Sequence, residues 1–540
     1  MLKKFINGKV YTGEDTEFKA AFEVKDNVFL KVGDNDEIMA CGDEDAEIVD
    51  LCGSFVCPGF NDSHMHLLNY GKALKTADLT KDTDSVDSII AKVKKFIKDE
   101  DIPDFEWVIG RGWNQDYFKE DMGYPLRWDL DRISDKHPIA LTRACGHMLV
   151  VNSVALDILK INSDTKVPYG GKIEFSENGE PNGIFRENAM EIVTSAFPRP
   201  DKNRLKDMIL AASAALNSYG ITSVQTDDLL CFSNVPYEDV LDAYRELKEE
   251  GKLTVRVYEQ SLFLESKDFR DFIRKGYHTG LGDEKFKIGP LKLLGDGSLG
   301  TRTAYLDRCY NDDPTTRGMA LLSGKELREM FEIASANGMQ IAVHVIGNGT
   351  LDLVLDAYEE VFGSDCGRRD IRNGIVHCQI MREDQLKRCE RLGLHAYIQS
   401  VFLDYDIQIV EDRVGKELAK TSYNFKTMYD TMSASNGSDC PVELPFVMGG
   451  IQCAVTRKRL NALSNEKAYL KEQAMSIDEA LKSFTVNGAY ASFEENIKGQ
   501  IKAGMLADFV VLSENPFEVE NDMIKEIRVL STYVDGKRVY

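Results

Sequence analysis

Several features that would indicate a particular class of protein are absent from this sequence of 540 residues. No stretch approaches the roughly 18 consecutive apolar residues of a membrane span, and the N-terminal residues lack the apolar core of a signal peptide. The net charge of -23 argues against a surface that binds nucleic acid or an anionic membrane. With 43% hydrophobic and 29% charged residues, the composition predicts a soluble globular protein without nucleic-acid or membrane partners.

The cysteines lack the spacing of a metal knuckle or a redox motif. There are eleven, an odd number, and they are scattered without a CxxC pair. This usage is more typical of reduced thiols in a cytoplasm than of a disulfide framework. We therefore predict a cytoplasmic location.

The two ends of the chain share one sequence pattern. Residues 1–57 and 496–540 consist of short alternating runs separated by Gly, Asp and Asn, which indicate small strands and hairpins. This predicts a small β-sandwich domain formed by both termini.

The middle of the chain, residues 58–495, alternates apolar strand-like runs with amphipathic helical segments. Such alternation indicates βαβ units and a parallel sheet. Eight runs are present, the number that closes a (β/α)8 TIM-like barrel, whereas a doubly wound open sheet is the alternative. The runs are 58–66, 220–228, 252–262, 286–297, 339–349, 372–379, 394–402 and 432–443.

About 150 residues separate the first run from the second, far more than a barrel connection needs. This predicts an inserted subdomain over residues 70–215, which we expect to act as a lid over the barrel mouth.

The segment PGFNDSHMHL at residues 58–67 places two of only eight histidines one residue apart. Side chains at i and i+2 of a strand point the same way, so His64 and His66 could present two imidazoles to one ion. The alternative is a strand with two histidines on its solvent face.

Four more polar residues occur in apolar strand runs, near the ends where barrel active sites lie: Lys292, His344, His377 and Asp439. Each has an ordinary explanation as a hydrogen-bonded core histidine, a turn cap or a snorkelling lysine. However, half of the histidines would then share this position by accident. We therefore predict one metal site.

Four imidazoles and a carboxylate favour a borderline divalent metal such as zinc. Two ions would need a bridging group, and no second protein carboxylate is evident in the sequence. A buried lysine can react as the free amine with CO₂ to give a carbamate that spans two ions. Lys292 is a candidate, although spacing alone does not establish this.

The sequence resembles the amidohydrolase superfamily, whose PGFxDxHxH signature matches PGFNDSHMH, and in particular the amidohydrolase-3 (YtcJ-like) family. The resemblance implies a metal-dependent hydrolase with a barrel and a two-part β-domain. It is carried, in the expected order, by GRGWNQDYF, LDRISDKHPIALTRACGHMLVVNSVAL, LKLLGDGSLGTRTAYL, AVHVIGNGTLDLVLDAYE, IVHCQ, GSDCPVE and AGMLADFVVL.

Residue by residue, the resemblance implies that His64, His66 and Asp439 bind one metal. His344 and His377 would bind the other, and Lys292, N6-carboxylated, would bridge them, with one or two ions per chain. The sequence departs from the family at Cys440, where Trp is frequent, and at residues 347–349, where an acidic-basic pair is more usual.

We expect hydrolysis of a non-peptide, amide-type C–N bond in a small molecule by a metal-activated hydroxide, with Asp439 as general base and then acid. One alternative is a mononuclear deaminase; such family members lack the bridging lysine and rely on a Glu beside the strand-five histidine, whereas this chain keeps Lys292 and has Asn348 in that neighbourhood. The other is a metal-binding regulatory protein without turnover.

Substrate contacts are expected from Asp296 and Arg302, which follow the Lys292 strand, and from Trp113 and His147 in the insertion. Core packing is the alternative for Trp113, and anchoring of a loop to Asp307 is the alternative for Arg302. The role of Asp62, as support for the histidines or as packing, stays open, as does the oligomeric state, a homodimer included.

Overall fold

The computed structural model describes residues 2–40, 45–119, 123–363, 370–463 and 465–540. The chain divides into two compact units. One consists of Met1–Asn69 with Ala212–Tyr540, and the other of Tyr70–Ala211. Among the helices in the described part of the chain, none is long and apolar enough to cross a membrane.

The strands form four sheets. Their bounds are β1 (Leu2–Ile6), β2 (Lys9–Val10), β3 (Ala21–Lys25), β4 (Val28–Gly33), β5 (Glu47–Asp50), β6 (Phe55–Pro58), β7 (Phe60–Met65), β8 (Ala77–Asp78), β9 (Val108–Trp113), β10 (Ile139–Arg143), β11 (Met148–Val151), β12 (Lys172–Phe175), β13 (Pro181–Arg186), β14 (Ile221–Thr226), β15 (Arg256–Leu262), β16 (Phe286–Leu294), β17 (Ile341–Val345), β18 (Gly374–His377), β19 (His395–Ile398), β20 (Ala434–Asn436), β21 (Phe509–Leu512), β22 (Val529–Val534) and β23 (Lys537–Arg538).

The α-helices lie between and beside these strands. Their bounds are α1 (Asn35–Met39), α2 (Leu67–Leu74), α3 (Val86–Asp99), α4 (Arg127–Asp131), α5 (Ser153–Leu159), α6 (Met190–Thr194), α7 (Lys202–Ser218), α8 (Tyr237–Glu249), α9 (Ser266–Arg274), α10 (Gly324–Ala336), α11 (Asn348–Phe362), α12 (Glu383–Leu392), α13 (Leu403–Asp406), α14 (Val410–Ala419), α15 (Phe425–Thr431), α16 (Val447–Thr456), α17 (Ile477–Ser483) and α18 (Val486–Ala491).

The central sheet confirms the predicted barrel. Its eight strands are parallel neighbours in the order β7, β14, β15, β16, β17, β18, β19 and β20. The first and last strands meet through main-chain hydrogen bonds, in which the amide of Asp439 donates to the carbonyl of His64 and the amide of His66 to that of Cys440, each at 2.8 Å. All six residues of β7 are buried, as expected for a parallel strand covered on both faces.

The two chain ends form the predicted β-sandwich. The sheet β4-β3-β1-β5 comes from the N-terminal segment alone, whereas β2-β6-β21-β22-β23 combines strands from both ends. Between them lies one aromatic-rich core that includes Phe5, Phe22, Val56, Phe509 and Tyr533. Because segments from both termini contribute strands to this sandwich, both show the same strand-like sequence pattern.

The predicted insertion after the first barrel strand is present as the unit Tyr70–Ala211. It contains the six-stranded sheet β12-β13-β11-β10-β9-β8. Helix α3 contributes Ile89, Ile90 and Val93 to a core shared with Trp113 and Leu141. The unit therefore has a hydrophobic core of its own, and its role as a lid stays a prediction.

Candidate active site

The six residues predicted as metal ligands lie at or near the carboxyl ends of five barrel strands. His64 lies in β7 and His66 directly follows it, Lys292 lies near the end of β16, and His344 and His377 lie in β17 and β18. Asp439 follows β20 by three residues. The barrel thus gathers residues separated by up to 375 positions at one of its ends.

Their polar atoms converge around the Asp439 carboxylate. Its Oδ1 lies 3.2 Å from His64 Nε2 and 3.0 Å from His66 Nε2. The Lys292 Nζ lies 3.2 Å from His64 Nε2. The ring of His377 lies 5.5 Å from that of His64 and 4.4 Å from that of His344, centroid to centroid.

Two glutamines determine which nitrogen of two imidazoles faces this centre. The Nδ1 of His64 is hydrogen-bonded to Gln260 Oε1 at 2.9 Å, and that of His377 to Gln399 Oε1 at 2.8 Å. Each glutamine amide nitrogen donates to a main-chain carbonyl, of Ser63 or Tyr397, which fixes the oxygen as the atom that faces the ring. The imidazoles are therefore protonated at Nδ1, and their Nε2 lone pairs are available as ligands.

His344 is oriented the other way around. Its Nε2 lies 3.1 Å from the carbonyl oxygen of Gly297 and 3.6 Å from Asp296 Oδ1. A proton on Nε2 satisfies the carbonyl, so Nδ1 is the nitrogen left with a lone pair.

Burial keeps three of the four imidazoles neutral. It lowers the pKa of His344 to about 4 and that of His377 well below its ordinary value, and together with the Lys292 charge it lowers that of His64. For His66, burial is outweighed by the charges of Asp227 and Asp439, which raise its pKa. Neutral imidazoles are the form that binds a metal.

Asp439 is held in an unusual main-chain conformation. Its φ of 59° lies in the left-handed region, which is uncommon outside glycine. The preceding residue, Ser438, donates from its amide to Asp62 Oδ1 at 3.0 Å and from its hydroxyl to Asp62 Oδ2 at 2.5 Å. Asp62 is fully buried. It therefore supports the loop that carries Asp439 rather than packing passively below the histidines.

Three further residues complete the surroundings of the site, and we did not predict them: Asp227, Gln260 and Gln399. They belong to the second, third and seventh strands, which contributed nothing to the predicted set. Asp227 contacts both His66 Nδ1 and Lys292 Nζ. A second carboxylate therefore lies beside the predicted ligands. We did not identify it, although the run GITSVQTDD ends in two aspartates at the end of a predicted strand.

The two predicted substrate contacts after β16 bind protein groups. The Asp296 carboxylate is buried and accepts the amides of Tyr305, Ile346 and Gly347 at 2.8–3.0 Å. Burial raises its pKa to about 6. Arg302 forms a two-point ion pair with Asp312, and not with Asp307. Both placements favour anchoring of loops, the alternative stated for Arg302.

The other two predicted substrate contacts belong to the inserted unit. Trp113 is fully buried, and its indole nitrogen donates to the Leu141 carbonyl at 2.9 Å, which favours core packing. His147 is exposed and pairs with Glu187 at 3.0 Å. That ion pair raises the pKa of His147.

The donor set fits a divalent metal. Ligand atoms of His64, His377 and Asp439 lie within 4.8 Å of one another, and the same holds for His64, His66 and Asp227. Imidazole nitrogens with their lone pairs directed inward, next to an ionised carboxylate, match the ligand preferences of zinc and similar ions. Burial raises the pKa of Asp439, but the neighbouring imidazoles of His64 and His66 outweigh this effect and hold the pKa well below its ordinary value.

Known proteins resemble this chain over nearly its whole length. Residues 47–540 match the model of the Amidohydrolase family. The Bacillus subtilis (strain 168) protein YtcJ, named as an amidohydrolase, is 31% identical over 99% of this chain and 98% of its own. An N-substituted formamide deformylase of Arthrobacter pascens is 26% identical over 94% of this chain and 92% of its own.

A solved structure agrees with these matches. The crystal structure of an uncharacterized metal-dependent hydrolase from Pyrococcus furiosus superposes with a TM-score of 0.77 at 29% identity, covering 96% of this chain and 100% of that one. Barrel, ligand set and whole-length similarity agree, and together they support a metal-dependent hydrolase. The chain belongs to the amidohydrolase family.

Proposed function

We propose that this protein hydrolyses a non-peptide, amide-type C–N bond of a small molecule. One observation carries the proposal: buried imidazole nitrogens from several strands and the Asp439 carboxylate converge at the carboxyl end of the barrel. In barrels of this kind the reaction takes place at that end.

The family resemblance suggests which residues would hold the metal. His64, His66 and Asp439 would bind one ion, and His344 and His377 a second, with N6-carboxylated Lys292 between them. Zinc suits this set. When bound, the metal supplies an acidified water and polarises the carbonyl group that is to be attacked.

Asp439 is the candidate for proton transfer. Its carboxylate contacts two of the metal-site imidazoles and is held by a loop that Asp62 fixes. It would accept the proton of the attacking water and deliver it to the leaving nitrogen, as general base and then acid. Its lowered pKa keeps it ionised, as the base role requires.

A further observation favours amide hydrolysis over deamination. Lys292 is buried at the centre of the site, within hydrogen-bond distance of His64. Asn348, in the neighbourhood where a mononuclear deaminase is expected to carry a Glu, accepts a hydrogen bond from the amide of Asp307 at 3.0 Å and is fully buried. The deformylase relative, whose name describes cleavage of an amide-type bond, supports the same reaction class.

The test is a comparison of the wild-type protein with Asp439→Asn on a panel of N-formyl and N-acyl amines. We expect Asp439→Asn to lose about 10²–10⁴-fold in turnover while it keeps most of its bound metal, measured by elemental analysis. A Lys292→Ala variant should lose at least one ion. Unchanged turnover in Asp439→Asn would contradict the proton-transfer role, and full metal occupancy without hydrolysis of any panel member would contradict the hydrolase itself.

A further inference from the structure

Asp227 occupies a rigidly held position directly after β14. The residues on either side of it are tied to the start of α2: Thr226 Oγ1 accepts the amide of Leu67 at 2.7 Å, and Asp228 Oδ1 accepts that of Leu68 at 2.8 Å. The Asp227 carboxylate itself faces the metal site, because its two oxygens contact His66 and Lys292.

Both oxygens of this carboxylate contact site residues. Oδ1 forms a short hydrogen bond with His66 Nδ1, and Oδ2 lies 3.2 Å from Lys292 Nζ. The side chain is 1% exposed, as is that of Lys292. Asp227 therefore connects two groups of the site from a buried position.

The contact with His66 determines how that imidazole is presented. With Nδ1 bound to Asp227, Nε2 is the nitrogen that faces Asp439. Gln260 and Gln399 orient His64 and His377 in the same manner, but they are neutral. A carboxylate at this position also increases the basicity of the ring, and hence its strength as a ligand.

The contact with Lys292 restricts the amine. Nζ lies between Asp227 Oδ2 and His64 Nε2, 3.2 Å from each. The contact with Asp227 thus keeps the Lys292 amine next to His64 Nε2, one of the expected metal-binding atoms.

We propose that Asp227 is a positioning residue of the metal centre, which orients His66 as a ligand and holds Lys292 in place beside it. This inference rests on the proposed metal-dependent function. It predicts an effect on metal affinity, and that affinity is measurable without any substrate.

The experiment measures binding of Co²⁺ to the full-length chain after treatment with a chelator, by competition with a chromogenic chelator. We expect Asp227→Asn to weaken binding about 10–100-fold and to alter the visible absorption of the bound cobalt. Asp227→Glu, which keeps the charge, should recover part of the affinity. Asp228→Asn is the matched control, because Asp228 is equally buried but binds Leu68 and Tyr244 instead.

Wild-type affinity and an unchanged cobalt spectrum in Asp227→Asn would overturn the inference. An equal loss in Asp228→Asn would also overturn it, because the effect would then be one of general packing. Thermal unfolding of each variant shows whether it folds. If Asp227→Asn does not, the same criteria apply to Asp227→Glu, with a shifted cobalt spectrum as the expected result. A wild-type protein that binds cobalt but hydrolyses nothing would contradict the proposed function and leave this inference standing.

Discussion

Both ends of the barrel bury charged side chains, but they arrange them differently. At the amino-terminal end, Arg256 donates to the carboxylates of Asp508 and Asp535, and Lys498 pairs with Glu494. There each of these charges meets an opposite charge. At the carboxyl-terminal end, by contrast, the imidazoles of His64 and His377 keep their Nε2 lone pairs directed toward one centre that they share with Asp439.

This difference shows that buried charge by itself does not identify a functional site. The groups at the amino-terminal end satisfy one another, so they stabilise the barrel and connect β15 to the C-terminal sandwich. At the carboxyl-terminal end, glutamine side chains bind the Nδ1 atoms of His64 and His377 and leave the Nε2 atoms available. Several free lone pairs that point toward one place are what the binding of a metal ion requires.

The largest expected difference between the two ends concerns stability. Arg256→Met would remove the cationic partner of the buried Asp508 and leave the half-buried Asp535 with Lys285. Breaking a buried pair in this way costs about 3–5 kcal/mol of unfolding free energy. Arg256 and Asp508 are 1% and 5% exposed. Urea denaturation measures the loss, while metal content and turnover of the folded protein should match the wild type.

Lys387→Met provides the matched control. Lys387 pairs with Glu383 on the exposed surface of α12, at 70% and 73% exposure, and such pairs contribute little to stability. We expect urea denaturation to give the wild-type midpoint. If Arg256→Met also kept that midpoint, or if it lost its metal while folded, the separation between the two ends would be wrong.

A second, smaller effect concerns a histidine at the amino-terminal end. His395 lies between the hydroxyls of Ser433 and Ser435, each at 2.7 Å, and faces Tyr397, Tyr490 and the charge of Arg372. Burial and Arg372 lower its pKa to about 3. The unfolded chain therefore takes up this proton near pH 6.5, whereas the folded chain does not.

The sign follows from linkage. A depressed folded pKa contributes stability that is fully present above pH 6.5 and is lost as the pH falls toward 3. Between pH 6.5 and 5 this group accounts for a loss of about 2 kcal/mol. We expect His395→Gln to reduce the fall in unfolding free energy over this interval, measured by urea denaturation at each pH. His278→Gln, at an exposed histidine, should keep the wild-type slope, and an equal slope in His395→Gln would contradict the assignment.

Much of this arrangement could be predicted from the sequence. Strand alternation and strand ends are local patterns, so the eight strands and the positions of His344 and His377 near the strand ends were predictable. Contacts between distant residues were not. Asp62 binds Ser438, which is 376 positions away in the sequence. Neither segment contains a pattern that predicts the other as its partner. The roles of Gln260 and Gln399 could not be predicted for the same reason, since a glutamine is recognised as a hydrogen-bond acceptor for a histidine only when the position of that histidine is known.

The smallest effect tests whether a charge at the active-site end behaves like those at the opposite end. Arg302 follows β16 and is predicted to contact substrate, yet its guanidinium forms two hydrogen bonds with Asp312, and Arg413 also binds that carboxylate. If Arg302 anchors its loop, Arg302→Ala should leave kcat and KM within about twofold of wild type. If it binds a substrate carboxylate, KM should rise about 10–100-fold, because a two-point charged hydrogen bond would be lost.

Steady-state kinetics on an acidic and a neutral amide distinguish these outcomes, since only the acidic substrate would lose the contact. Asp312→Asn is the control: it weakens the ion pair that anchors the loop but keeps the Arg302 side chain, so an equal rise in KM would assign the effect to the loop.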